Sequence, residues 1–173
     1  FKVDSELDMR FDISQNFKAN DLLNMKSKKE IADMIFKYGE ERRSRAIAES
    51  ILKMRPIKNV FELVEAIRKS TPPKNRNKTL ARVFQAVRIL VNNELSILKK
   101  FLSEFCNQLS VGGRVVFISF HSLEDRIVKH ALKDLSLKKK MKILTKKPLC
   151  PSPEEIFSNR RSSSAKLRAA ERI

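Results

Sequence analysis

The chain has 173 residues, of which 42% are hydrophobic, enough for one domain or for a domain with an insertion. Its 37 Lys and Arg residues against 20 Asp and Glu give a formal net charge of +17. An excess this large predicts a polyanionic partner, with nucleic acid favoured over a membrane surface. No apolar run approaches the roughly 20 residues of a spanning helix, so a membrane protein is not expected.

The polar, acidic start of the chain does not resemble a signal peptide. Its two cysteines, Cys106 and Cys150, stand far apart and lack the spacing of metal ligands. We therefore expect no metal site, no disulfide and a reducing compartment, either the cytoplasm or an organellar matrix.

Residues 27–56 are predicted to form a helical hairpin. Ser27 and Glu30 have the spacing of a capping box, and Gly39 is expected to supply the left-handed residue that ends the first helix. The second helix is expected to end at Pro56 and to bury Ala46, Ile47, Ile51 and Leu52. Asn59 and Glu62 predict the start of a third helix, and residues 71–78 a basic loop that follows it.

The longest periodic segment is 80–109, in which apolar residues recur every three or four positions. It predicts one long amphipathic helix, or two helices joined by a bend, that ends before Gly112. Arg88, Asn92, Asn93 and Glu94 lie in the middle of it, and it stays open whether some of them face a site or water.

A short apolar stretch at 115–120 follows Gly112 and Gly113 and predicts a buried parallel strand. Helical periodicity resumes at 122–135. A weaker strand is predicted at 141–145, and residues 165–169 alternate as a half-buried terminal strand should. The order of elements predicts an α/β fold.

The polar residues behind the apolar strand form the first candidate site, because ligands bind at the carboxyl ends of strands in open α/β sheets. A structural interpretation competes with this one. Ser122 would serve as helix N-cap, Glu124 and Asp125 would suit the positive end of the helix dipole, and Asp125 with Arg126 would form a surface pair. That interpretation leaves His121 unexplained, and two alternatives stay open for it: a buried hydrogen-bonding residue or a site residue.

The stretch LDMRFD at 7–12 is the second candidate, because Asp8 and Asp12 flank Arg10. A surface ion-pair network is the competing interpretation. The basic stretches at 42–45, 74–78 and 138–147 together favour contacts with phosphates, which position a nucleic acid without reading its sequence. Aromatic residues are too few to predict a stacking platform.

Five blocks in a fixed order resemble one family. They are LDMRFD at 7–12, YGEER at 38–42, FQAVRILVNNEL at 84–95, GGRVVFISFHSLEDRIVK at 112–129 and SAKLRAAER at 164–172. They are similar to the RsmH/MraW family of S-adenosylmethionine-dependent methyltransferases, which modify N4 of a cytosine in small-subunit ribosomal RNA.

The resemblance implies part of a class I, Rossmann-like methyltransferase fold with an inserted all-helical substrate-recognition domain. Residues 1–12 and 80–173 would form the C-terminal portion of the sheet domain, with its last strand antiparallel. Residues 13–79 would form the insertion. The family's glycine-rich cofactor loop lies upstream of LDMR, so the S-adenosylmethionine site is expected mostly before Phe1. The chain alone is then expected to be inactive and not to bind the cofactor appreciably.

The family's chemistry implies roles for residues in these blocks. Asp8, Asp12, His121 and Asp125 are the candidates for holding the cytosine amine or taking its proton. Candidates for holding the base or its phosphates are Arg10, Arg88, Asn92, Asn93, Ser119, Ser122, Glu124 and Arg126. The expected partner is ribosomal RNA within the small ribosomal subunit, and a homodimer stays open.

Two departures from the family pattern are present. Ser5 and Glu6 stand where the family has Gly-Pro, and Ser163 replaces the second arginine of the tail motif. Three functions stay open: part of an rRNA methyltransferase, a non-catalytic fragment or degenerate relative that binds ribosomal RNA, and a helical interaction protein whose basic faces only face solvent.

Overall fold

The computed structural model describes residues 3–173 and divides into two compact units, Phe1–Glu94 and Leu95–Ile173. Each unit has its own hydrophobic core. Phe1 and Lys2, which belong to the expected segment 1–12, lie outside the described residues. No helix in residues 3–173 is both long enough and apolar enough to cross a membrane.

The first unit is helical. Its α-helices are α1 (Ala19–Met25), α2 (Lys28–Gly39), α3 (Ser44–Lys53), α4 (Val60–Lys69) and α5 (Arg76–Val91), with a 3₁₀ turn at Pro73–Asn75. Their apolar faces meet in one core, whose fully buried members include Ile31, Ile47, Leu63, Leu80 and Val83. The predicted helical hairpin and third helix are confirmed.

Two capping boxes begin helices where the sequence predicts them. The Ser27 side chain accepts the amide of Glu30, whose carboxylate in turn accepts the Ser27 amide. Asn59 and Glu62 form the same reciprocal pair at the start of α4. Both boxes depend only on residues three apart, which is why the sequence shows them directly.

The prediction that Gly39 supplies the left-handed residue is wrong, because Glu40 takes that conformation with φ of 50°. Gly39 is needed for a different reason. A Cβ on Gly39 would lie 2.7 Å from the backbone oxygen of Arg82 on α5. The missing side chain therefore lets α2 and α5 approach closely.

The prediction that Ala46 is buried on α3 is also wrong, because its side chain is exposed.

The basic loop predicted at 71–78 is shorter than expected, because α5 begins at Arg76. The periodic segment 80–109 forms two helices joined by a bend, which is one of the two predicted alternatives. The break falls at Asn92 and Asn93, and Asn93 has a left-handed φ of 50°. Helix α6 (Glu94–Glu104) follows, and a 3₁₀ turn at Phe105–Gln108 ends the segment.

The second unit holds a three-stranded antiparallel sheet of order β1-β3-β2. Its strands are β1 (Arg114–Ser119), β2 (Met141–Ile143) and β3 (Lys166–Arg172). Helix α7 (Ser122–Leu137) connects β1 to β2, and α8 (Pro153–Ser158) and a 3₁₀ turn at Arg160–Ser164 precede β3. The three predicted strands and the antiparallel last strand are confirmed.

Strand β1 is half-buried rather than buried on both faces. Val115 and Phe117 pack with the core of the second unit, whereas Val116, Ile118 and Phe120 are more than half exposed. Within residues 3–173 β1 pairs only with β3, in antiparallel register, so the predicted parallel environment is wrong for this chain. The strand is apolar on both faces, but the described residues cover only one of them.

The two compact units meet at residues 94 and 95, whereas the expected boundary of the helical insertion lies at residues 79 and 80. The buried residues Leu80, Val83, Ala86 and Val87 place α5 in the core of the helical unit. Leu7 belongs to the same core. The contacts therefore group residues 80–94 with the helices that precede them.

Candidate active-site residues

Asp8 and Arg10 form a two-pronged ion pair in the first unit. Arg10 Nε lies 2.6 Å from Asp8 Oδ1, and the second guanidinium nitrogen lies 2.8 Å from Oδ2. Arg10 also donates to the backbone oxygens of Ile13 and Gln15. The hydrogen bonds from Arg10 lower the pKa of Asp8 to about 2, so this carboxylate is ionised at neutral pH.

Asn92 holds the same stretch from the end of α5. Its side-chain oxygen accepts the Phe11 amide at 2.7 Å, and its nitrogen donates to the Met9 carbonyl at 2.8 Å. Asn92 is only 4% exposed. The buried Asn92 side chain thus satisfies one backbone amide and one backbone carbonyl of residues 9–11 and fixes their conformation. This conformation includes a left-handed φ of 62° at Met9.

A cavity of about 480 Å³ lies beside this clamp. It is lined by Met9, Arg10, Phe11, Ala81, Phe84, Gln85 and Arg88. Arg88 is held by two contacts to Glu94, at 2.7 and 3.0 Å. The structure therefore connects the stretch of Asp8 and Arg10 to the end of α5: Asn92 bonds to residues 9 and 11, and Arg88 lines the same cavity as Arg10.

Asp12 and Asn93 have other surroundings. The exposed Asp12 carboxylate accepts the Ser14 amide and hydroxyl, at 2.9 and 2.7 Å. These bonds lower the pKa of Asp12. Asn93 is exposed at the bend after α5. Neither residue lines the 480 Å³ cavity.

The strand-to-helix junction of the second unit uses His121 as helix N-cap. His121 Nδ1 accepts the Glu124 amide at 3.3 Å, and Glu124 accepts the Phe120 amide at 3.0 Å. His121 Nε2 lies 3.4 Å from the Glu124 carboxylate. The prediction that Ser122 is the N-cap is wrong, since the chain is extended at His121 and helical from Ser122 onward.

Asp125 forms a buried ion pair with Arg168 of β3, rather than the predicted surface pair with Arg126. The two contacts measure 2.6 and 3.2 Å, and the residues are 8% and 7% exposed. Lys166 Nζ adds a contact of 3.6 Å to Asp125. The hydrogen bond from Arg168 lowers the pKa of Asp125, so this carboxylate is a weaker base than an ordinary aspartate.

The other predicted residues of this unit lie around the same junction. Ser119 is buried at the end of β1, with its hydroxyl 3.4 Å from the Lys166 carbonyl. Ser122 and Arg126 lie in the first turns of α7. Arg126 lines a second cavity of about 500 Å³, together with His130 and Asp134.

Sequence reasoning missed Arg168 and Glu94 as partners of predicted site residues. Arg168 lies 43 residues from Asp125 in sequence, so no local spacing indicates the pair. Its only signal was the SAKLRAAER block. Glu94 lies six residues after Arg88, across a bend whose position the apolar periodicity does not show.

Comparison with known proteins extends over the whole chain. The model of the MraW methylase family matches residues 1–173. The chain is 51% identical to the ribosomal RNA small subunit methyltransferase H of Thermosipho africanus and 49% identical to that of Nostoc punctiforme. Each alignment covers 100% of this chain but 60% and 58% of the relative. Because the family model matches every residue, this mixed α/β chain belongs to the MraW methylase family.

Proposed function

We propose that this chain is part of an enzyme that transfers a methyl group from S-adenosylmethionine to N4 of a cytosine in small-subunit ribosomal RNA. The observation that carries the proposal is the 51% identity along the entire chain to a relative named as a ribosomal RNA small subunit methyltransferase. The chain spans about 60% of that relative, so the activity is proposed for the whole protein.

Within that protein, residues 1–12 and 80–173 would be the C-terminal portion of the sheet domain and 13–79 an inserted RNA-recognition domain. The exposed apolar face of β1 supports an incomplete sheet domain, while the packing of Leu7 and α5 in the helical core would make that core the junction between the proposed domains. Val116, Ile118 and Phe120 would be covered by further elements of a Rossmann-like sheet, since an apolar sheet face in water favours aggregation.

The described residues do not fit the cofactor. A sulfonium nucleoside is usually held at a glycine-rich turn that follows a strand. Here β1 is followed by Phe120 and His121, and Gly112 and Gly113 precede it rather than follow it. S-adenosylmethionine would supply the methyl group from a site in the rest of the enzyme.

We assign to Asp8 the holding of the exocyclic amine of cytosine; Asp8 is not itself in the cavity lining, but it adjoins Met9 and pairs with Arg10, which are. The lone pair of this amine is delocalised into the ring, so the enzyme must orient it and exclude water. Arg10 fixes the Asp8 carboxylate and keeps it ionised, which makes it a strong acceptor for an amine N–H. The cavity beside Met9, Phe11 and Phe84 is within the size range of small-ligand pockets.

The remaining candidates would position the base or its phosphates. Arg88, held by Glu94, could contact the edge of the base, and Asn92 would act by fixing residues 9–11. For the second unit we propose contacts with the substrate strand through His121, Ser122, Glu124 and Arg126, with the buried Ser119 and Asp125 positioning this junction. Asp12 and Asn93, both exposed, would contact the RNA from outside the cavity.

The proposed substrate is a single-stranded cytosine, or one swung out of its stack, in the small ribosomal subunit. The net charge of +17 supports a partner with a phosphate backbone. The corresponding compartment is the cytoplasm or an organellar matrix, where this RNA is found.

The test is methyl transfer to isolated small ribosomal subunits by the full-length protein, with nucleoside analysis by mass spectrometry. We expect N4-methylcytidine at one position of the RNA. Methylation of another atom, or of no RNA, would overturn the proposal.

A second candidate function is a non-catalytic module that grips ribosomal RNA. It is favoured by the same lack of fit between the described residues and the cofactor. Residues 1–173 alone should then bind the RNA with steep salt dependence and transfer no methyl group. The two candidates separate if the full-length protein methylates the subunit and the shorter chain does not.

A further inference from the structure

The second unit has a cavity of about 620 Å³ lined by residues of α7, of the β2 segment and of β3, and His121 is not among them. It is lined by Lys129, Leu132, Lys133, Ser136, Lys139, Met141, Lys142, Ile143, Thr145, Lys146, Arg168 and Ile173. We refer to it as the lysine-rimmed cavity. Every charged side chain in this lining is basic.

The rim carries a net positive charge. Its five lysines are all exposed, and none forms an ion pair in the part of the chain that the structure describes. Lys142 lies opposite Glu171 on β3 and helps to lower the pKa of that carboxylate. The five are Lys129, Lys133, Lys139, Lys142 and Lys146. Arg168 differs, because Asp125 neutralises it. Five exposed ammonium groups around one concavity would attract an anion and repel cationic ligands.

The floor is apolar. Leu132 and Met141 are 2% and 1% exposed, and Ile143 and Ile173 complete the apolar lining. A flat membrane surface could reach the lysines but not this recessed floor. A nucleotide has both required parts, because its base is a flat, largely apolar body and its phosphate is anionic.

One backbone feature also favours a ligand for the rim. Lys139 follows α7 with a φ of 54°, and the Lys140 amide closes the helix by donating to the Leu135 carbonyl at 3.0 Å. Glycine is the usual residue at this position because it adopts the left-handed conformation without steric cost. A lysine there keeps a cation at the mouth of the cavity in a strained conformation.

From these observations we propose that the lysine-rimmed cavity binds a single-stranded RNA segment, with one base on the apolar floor and flanking phosphates on the lysines. The proposal rests on the proposed function, because it gives the methyltransferase a second contact with its RNA, apart from the cavity lined by Met9, Arg10 and Arg88. The grip would anchor the strand without reading its sequence.

The test compares two triple variants of the full-length protein. The first changes Lys139, Lys142 and Lys146 to Ala. The matched control changes Lys29, Lys99 and Lys100 to Ala, removing the same charge from exposed positions outside the cavity. The probe is a 12-nucleotide single-stranded RNA of mixed sequence, and binding is measured by fluorescence anisotropy as a function of salt.

Each phosphate contact on a single strand contributes about 0.7 to the slope of log K against log salt. Removing three contacts should therefore reduce the magnitude of the slope by about 2 in the cavity variant. In the control variant the reduction should be below about 0.7, the value of a single contact. In methyl transfer to small subunits, the cavity variant should raise KM with little change in kcat.

Equal slopes for the two triple variants would overturn the cavity proposal, even if methylation is normal. The proposal would also be overturned if the wild-type protein bound anionic lipid vesicles and the cavity variant lost that binding while it kept its affinity for RNA. If the wild-type protein methylates no RNA, the proposed function fails, but the anisotropy comparison still decides whether the cavity binds RNA.

Discussion

Asp125→Asn should destabilise the second unit strongly, because it removes one partner of a buried ion pair. Arg168 is 7% exposed and would keep its charge without a carboxylate nearby. Loss of one partner of a buried pair costs about 3–5 kcal/mol. We expect about 3 kcal/mol, the lower end, because Lys166 is only partly buried and can turn towards water.

Hydrogen exchange of the β3 amides measures this cost directly, since a loss of 3 kcal/mol in opening free energy speeds exchange by about a hundredfold. Asp134→Asn on the same helix is the matched control, because Asp134 is exposed and forms no ion pair in residues 3–173. Replacing both partners, Asp125→Leu with Arg168→Met, should recover most of the loss. Equal exchange in Asp125→Asn and Asp134→Asn would refute the reasoning.

Three further predictions concern the first unit. Gly39→Ala should lower stability by about 1–3 kcal/mol in a denaturation experiment, because the new Cβ would meet the Arg82 carbonyl 2.7 Å away. Asn92→Ala should cost about 2 kcal/mol by leaving two backbone groups without partners, whereas Asn93→Gly should be neutral or gain up to about 1 kcal/mol by relieving its left-handed φ. Asp8 should titrate at about 2 in carboxyl NMR, and Arg10→Ala should return it towards 3.8. Its folded pKa is lowered, so its stabilising effect is present above pH 4 and is lost as pH falls through about 2.

Features set by neighbouring residues could be predicted from the sequence. The capping boxes at Ser27 and Asn59 and the apolar stripe of α7 all depend on spacings of three or four residues. The limits of β1 were also right to within one residue. Local propensity and periodicity are sufficient for such elements.

Features that depend on distant residues could not be predicted. Gly39 is explained by Arg82 on another helix, and Asp125 by Arg168 on another strand. In both cases the deciding contact joins segments whose proximity in the fold is not encoded in a local pattern. The N-cap is a different case: α7 begins one residue earlier than predicted, and the local acceptor of the Glu124 amide is His121 Nδ1 rather than the Ser122 hydroxyl.

The candidate site shows the same division. Motif clustering identified Asp8, Arg10, Arg88 and Asn92 as candidate site residues. In the structure Arg10 pairs with Asp8, Arg10 and Arg88 line one cavity, and Asn92 bonds to Met9 beside it. The chemistry assigned to them changed. The carboxylates of Asp8, Asp12 and Asp125 all have lowered pKa values, so acceptance of hydrogen bonds is better supported than removal of a proton.

The most direct test of the account is methyl transfer to small ribosomal subunits by the full-length protein carrying Asp8→Asn. An amide accepts a hydrogen bond more weakly than a carboxylate, and a charged hydrogen bond contributes about 1.5–3 kcal/mol, so kcat should fall by about 10- to 150-fold. Asp134→Asn should transfer at the wild-type rate. A folded Asp8→Asn protein that methylates cytosine as fast as the wild type would contradict the account.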